Sequence, residues 1–228
     1  MKRIIILLAA VALFVVSCRR NTDAVSSAYS VSYPVVKITS DTFFTLLQGS
    51  LLPANITATA YDTFYKKSLD SVIQRDYSSV NMNVPGFYAV TFSAKNQAGY
   101  VGYAYAYINV VASLSSMTSL TGRYKQMTNG DTVYLTPKVN HAGDTVVGFY
   151  TINNVAGVHS SYDSVSYITA AWFAQQSNSQ ITVPTQYTGL GLMTFANPGC
   201  IVASADTAFQ YQVINPDFGA SLRVFKKF

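Results

Sequence analysis

The chain has 228 residues, with 15 Lys and Arg against 10 acidic residues, a formal charge of +5, and only two cysteines. All ten acidic residues are Asp, and Tyr (17) and Phe (13) are abundant beside Val and Thr, so the composition favours strands and turns over helices. No basic stripe or recognised nucleic-acid module occurs, which excludes a nucleic-acid partner on sequence grounds.

Met1-Lys2-Arg3 opens the chain, Ile4 to Val16 is mostly aliphatic and carries no charge, and Val15-Val16-Ser17-Cys18 closes the run. This is the build of a secretory signal peptide over residues 1–17, shorter than the roughly 20 residues of a membrane-spanning helix. Its last four residues resemble a bacterial lipobox. That resemblance implies cleavage before Cys18, acylation of Cys18, and a membrane partner through the lipid. Loss of Lys2 and Arg3 lowers the charge to +3, and Arg19-Arg20 stand directly beside the anchor. With Cys18 acylated, only Cys200 remains, so no intramolecular disulfide is expected. Cys200 follows Asn197-Pro198-Gly199 and is expected as a small buried hydrophobe at a strand start.

Residues 18–32 are polar and small and are expected to form a lipidated tether. From Tyr33 short alternating segments begin, with Val35 to Ser40 and Ile56 to Tyr61 as strands. In Asn83-Val84-Pro85-Gly86-Phe87-Tyr88-Ala89-Val90-Thr91-Phe92-Ser93-Ala94, period two puts Tyr88, Val90, Phe92 and Ala94 on one face. Asn96-Gln97-Ala98-Gly99 is a turn, and Tyr100 to Val111 the next strand. This string resembles the end of a bacterial Ig-like domain, where a PG-x-Y-x-V-x-[YF]-x-A strand meets an N-x-A-G turn and a final strand. The resemblance covers residues 33–112 and implies an Ig-like β-sandwich. Its first half departs from the pattern, with Asp62-Thr63-Phe64-Tyr65-Lys66-Lys67 where an acidic, Gly-rich segment is usual.

Residues 113–119 read as a linker and 120–228 as a second antiparallel β domain, sandwich or barrel. Asn129-Gly130 is a strong hairpin signal. Further strands are expected at Thr145–Ile152, Ser164–Phe173, Gln180–Val183, Gly191–Phe195, Cys200–Ala203, Phe209–Ile214 and Ala220–Phe228. The fold class is therefore all-β. Lipobox, Ig-like domain and second β domain together resemble Bacteroidetes lipoproteins of the DUF5012 kind. Relatives of that architecture stand beside SusC/SusD-type glycan-uptake systems, which implies a carbohydrate ligand, a SusC/SusD-type partner complex and an outer-membrane location. Arg19-Arg20-Asn21-Thr22-Asp23 lacks the acidic residues usual after the Cys of surface-exported members, so both faces of that membrane stay open.

Two groups of residues are candidates for a site. Tyr103, Tyr105 and Tyr107 share one face of their strand, opposite Gly102, Ala104, Ala106 and Ile108. Such a strip can stack on sugar rings or dock a partner, while the plainer expectation is packing against the second domain. Trp172 shares a face with Ile168 and Ala170, which predicts a core tryptophan. The sharper alternative is a ligand site of Trp172, Phe173 and Tyr187, with Gln175, Gln176 and Asn178 pairing to hydroxyls.

Catalytic patterns are absent from the sequence. A glycosidase pair could be assembled from Asp131, Asp144 and Asp163, but Asp in turn-like sequence is commoner as a turn residue. No G-x-S-x-G elbow, P-loop, zincin helix or EF-hand loop occurs, and His141 and His159 lack neighbouring ligands. The expectation is a non-catalytic envelope lipoprotein, with no cofactor and no metal, that binds carbohydrate. The alternative is an adhesion or assembly lipoprotein without a small ligand.

Overall fold

The computed structural model describes residues 31–156, 170–203, 206–216 and 219–228, and the leader and Cys18 lie outside them. Tyr33–Phe228 form one compact unit.

Its first part is a two-sheet sandwich. β1 (Val35–Ile38), β3 (Ala58–Asp62) and β4 (Lys67–Ser68) form one sheet. The other has the order β2-β7-β6-β5, from β2 (Phe43–Leu47), β5 (Gln74–Asp76), β6 (Gly86–Lys95) and β7 (Val101–Val111). β2 runs parallel to β7, and the other pairs are antiparallel. The alternation read in β6 is realised, with Val90, Phe92 and Ala94 buried and Tyr88 partly so. They meet Ala106, Ile108 and Val110 of β7 and Ile56 between the sheets. Each fully buried side chain of this size contributes about 1.5–3 kcal/mol, so the in-and-out pattern itself selects the inner face.

The second part is one curled antiparallel sheet of nine strands, in the order β12-β11-β10-β9-β8-β16-β15-β14-β13. These are β8 (Gly122–Gln126), β9 (Thr132–Val139), β10 (Thr145–Ile152), β11 (Ala171–Gln175), β12 (Ile181–Thr182), β13 (Gln186–Thr188), β14 (Gly191–Ile201), β15 (Ala208–Asn215) and β16 (Gly219–Lys227). The curl brings the β11–β12 turn to the end of β14, where the amide of Val202, just past the strand, donates to Asn178 O at 3.0 Å. Inside lie Tyr124, Phe173, Phe209, Tyr211 and Phe225, with Phe209 and Phe225 stacked at 4.7 Å. The Asn129-Gly130 signal is realised as the β8–β9 hairpin, where Gly130 adopts φ +82° and its amide donates to Gln126 O.

One local expectation is corrected. Asn197-Pro198-Gly199 does not separate two strands but forms a bulge inside β14, with the register shifting between Ala196 and Gly199. Asn197 takes φ +50°, and the proline has no N–H to contribute to a ladder, so the extra residues bow out while pairing to β15 resumes. Of the expected strand Ser164–Phe173, residues 164–169 lie outside the described ones, and β11 starts at Ala171. Among the described residues no helix is long and apolar enough to cross a membrane.

Candidate functional site

The outer face of the β2-β7-β6-β5 sheet is organised in rows by its register. Phe43 and Ala89 flank Tyr107, Thr91 and then Asp76 follow Tyr105, and Ser93 and then Gln74 follow Tyr103. Directly paired residues project to the same face. The tyrosines therefore lie beside small or hydroxylated neighbours, with an amide and a carboxylate at the sheet edge. One row further, Asn109 stands between Thr45 and Phe87.

The curled sheet covers this face from one end only. Asn109 is 0% exposed and Tyr107 half-buried, whereas Tyr105 and Tyr103 are 44% and 56% exposed. At the covered end the Asn109 amide donates to Gln175 O at 2.7 Å, and Gln176 Nε2 donates to Asn109 Oδ1 at 3.1 Å. A bulge in β10 between Val146 and Tyr150 drives Phe149 and Gly148 toward the same place. Gly148 has φ +77°, and a Cβ there would sit 3.0 Å from Asn109 Nδ2, Gln175 O and Met117 Cε. Glycine permits both that backbone conformation and that approach.

Trp172 closes the covered end. Its ring centroid lies 4.5 Å from Tyr107, 5.1 Å from Phe43 and 5.7 Å from Phe87. Tyr107 is near-parallel to Phe43, Phe87 and Tyr105, at 5.6, 5.7 and 6.5 Å. The rings thus form a ladder that begins under Trp172 and emerges at Tyr105. The Trp172 backbone is held by the Gln186 side chain, which accepts from its N–H at 2.9 Å and donates to its carbonyl at 2.8 Å. Lys138 Nζ lies 5.1 Å from the Phe43 centroid, and burial lowers its pKa.

The residues singled out around Trp172 do not form one exposed site. Phe173 is 0% exposed, packed inside the curled sheet on Tyr150 and Phe209, where no sugar face reaches it. Gln175 is also buried. Its Oε1 accepts from Tyr150 OH, and its Nε2 donates to Thr118 O, both at 3.1 Å. Asn178 holds residues 116–118, donating to Ser116 O at 2.8 Å and accepting from Thr118 N at 2.9 Å. Tyr187 is 81% exposed on the edge strand β13, opposite Leu192. Trp172 faces the sandwich and Phe173 the curled core, the reverse of the expected core tryptophan. Both faces of β11 are covered, so alternation alone could not say which residue went inside.

Four residues beside the tyrosines were not singled out from sequence. Thr91 and Ser93 were legible as the outward face of β6, but Gln74 and Asp76 join them only through the β5–β6 register. Asp76 accepts from the Ser78 amide at 2.8 Å, and hydrogen bonds from the Ser78 side chain and backbone hold its carboxyl below the ordinary 3.8. The face is thus aromatic in the middle and anionic at its rim.

Elsewhere, a pocket of about 210 Å³ lies beside Cys200, Phe209, Gln210 and Val224, below the roughly 300 Å³ of ordinary ligand pockets. Cys200 is buried, and burial pushes its thiol up to about 11, an unreactive thiol. Asp144 accepts from Asn140 in a turn, and the exposed His141 donates its backbone N–H to Asp41; His159 and Asp163 lie outside the described residues. Among the described residues no three His, Cys or Asp side chains gather as metal ligands.

No family model matches the chain, and no curated protein does. Among solved structures, the lipoprotein BT2262 of Bacteroides thetaiotaomicron is similar at 18% identity and a TM-score of 0.36, over 86% of this chain and 100% of that one. The CBM51-2 and INT domains of Clostridium perfringens ZmpB, in complex with GlcNAc, are similar at 12% identity and a TM-score of 0.30, over 85% of this chain and 41% of that one.

Proposed function

We propose that the protein is a non-catalytic, lipid-anchored envelope protein that binds carbohydrate on the outer face of the β2-β7-β6-β5 sheet. The observation that carries this reading is the exposed continuation of the aromatic ladder, Tyr105 and Tyr103, with Thr91, Ser93, Gln74 and Asp76 on the same face. Sugar rings have apolar C–H faces that stack on aromatic rings, and hydroxyls that pair with amide, hydroxyl and carboxylate groups. An open platform suits a polymer that lies across it and leaves again. Trp172 bounds the platform and packs on Tyr107 at its covered end. The signal peptide, the lipobox at Cys18 and the resemblance to DUF5012-like lipoproteins support an outer-membrane anchor and work beside a SusC/SusD-type complex.

The test is binding of the chain from residue 19 onward to a panel of plant, host and microbial polysaccharides. Retardation by one polymer class, lost in Tyr105→Ala and Tyr103→Ala, is the expected result. Binding that survives both substitutions would overturn the site.

A second reading, a protein-interaction lipoprotein without a small ligand, is favoured by the use of Tyr107 and Trp172 in internal packing. Silence across the panel from folded protein, with a specific crosslinked partner in the envelope, would support it.

A further inference from the structure

The chain enters the body at Tyr33, and two turns flank that point. Val35 pairs with Tyr61 at the end of β3, which places the β3–β4 turn beside the first residues of the body. On the other side, β7 packs so closely that a Cβ on Gly102 would fall 1.9 Å from Pro34 O, and the Tyr33 and Tyr100 rings meet at 5.4 Å. The β6–β7 turn therefore shares this end.

The β3–β4 turn is built to display its side chains. Asp62 is buried, and its Oδ1 accepts from the amides of Phe64 and Tyr65 at 2.9 and 3.1 Å. Lys66 takes φ +50°, turning the chain back. Phe64 and Tyr65 project as a T-shaped pair with centroids at 4.9 Å, and both are exposed, as is Tyr33. Lys66, Lys67 and Lys95 are exposed at the same end, and among the described residues no carboxylate forms an ion pair with any of them. The nearby Asp70 is engaged by the Ala60 amide at 2.7 Å.

We infer that this end of the sandwich docks on a bilayer surface bearing anionic headgroups. Aromatic rings with polar tips settle at the interface between headgroup and acyl chain, while lysines reach the phosphates on flexible stems. The inference rests on the reading of Cys18 as the lipid-bearing residue. Residues 19–32 span at most about 50 Å when fully extended, so the anchor keeps this end within reach of the membrane. The acyl chains on Cys18 hold the protein to the bilayer, and this face fixes how its body stands on that surface.

The experiment supplies the anchor chemically. The chain from Cys18 onward is coupled through Cys18 to a maleimide lipid in vesicles, while the buried Cys200 does not compete. Phe64→Trp emission is then read against lipids spin-labelled near the headgroup, with the parent chain and its single Trp172 as the remote control. Quenching of Phe64→Trp on phosphatidylethanolamine–phosphatidylglycerol vesicles is the expected result. It should fall about threefold or more when Lys66, Lys67 and Lys95 are all replaced by Gln, or on phosphatidylcholine alone. Quenching indifferent to both changes would overturn the headgroup contact. No quenching from coupled protein would overturn docking altogether and leave the face to a protein partner or a second copy. The mass of Cys18-containing peptides from envelope-expressed protein tests acylation separately, so either idea can fail alone.

Discussion

Trp172 of the curled sheet meets Tyr107 of the sandwich at 4.5 Å between ring centroids, inclined at 51°. The contact joins two sheets that share no strand, and around it gather Phe43, Phe87 and Phe149. It turns one end of a surface strip into internal packing and leaves the other end open.

Trp172→Ala should therefore act on stability before it acts on any ligand. Large aromatic truncations in cores cost about 3–5 kcal/mol, and a half-buried tryptophan should cost less, about 2 kcal/mol. Urea denaturation followed by circular dichroism would measure it, and an unchanged midpoint would contradict the packing role.

Tyr105→Ala and Tyr103→Ala should do the opposite. Both are exposed, so stability should move by less than about 0.5 kcal/mol. Affinity for the bound polymer should fall at least about tenfold, equivalent to 1.4 kcal/mol. The Asp76 carboxyl is held below 3.8, so its charge is present above that value and lost only as pH falls through the depressed one. Binding should accordingly stay flat across neutral and mildly acidic pH, and a loss of affinity centred near neutrality would rule out dependence on Asp76 alone.

Gly148→Ala should be among the most damaging small changes in the protein. Its φ of +77° disfavours any side chain, and the added Cβ would press on Asn109, Gln175 and Met117. A cost of about 2–3 kcal/mol is expected from the backbone conformation and the displaced hydrogen bonds together. Gly143→Ala shares the positive φ at 92° but meets nothing within 4 Å, so it should cost less. Equal midpoints for the two variants would refute the close approach.

Alkaline pH should weaken the fold in a defined window. Burial raises Cys200 from 9.0 to about 11 and holds Tyr124 and Tyr211 well above 10.0. The unfolded chain ionises at the ordinary values while the folded chain keeps its protons. Stability from these groups is complete below about pH 9 and is lost as pH rises through 9 to 11 and beyond. Denaturation midpoints measured from pH 7 to 11 should be level and then fall, and a rise above pH 9 would contradict the burial of all three.

Much of the sandwich was readable because its signals are local. Period two in β6 puts Val90, Phe92 and Ala94 on one face, which the fold buries, and Asn129-Gly130 names a hairpin whatever lies elsewhere. The tyrosine strip was equally visible. Its division into a covered and an open end was not, because nothing within β7 says where β11 will lie. Asn178 and Gln175 look like free amides in the sequence but are spent on the backbone of residues 116–118.

The all-β class, the residues of β6 and of β7 that share a face, and the tyrosines that share one side were legible in the sequence. These follow from alternation and turn chemistry, which act over a few residues. Long-range packing and register, by contrast, put Phe173 inside and turned Trp172 to the sandwich, and brought Gln74 and Asp76 to the tyrosine face. In β11, apolar on both faces, alternation separates neighbouring side chains without naming the buried side, and strand register is set by contacts distant in sequence.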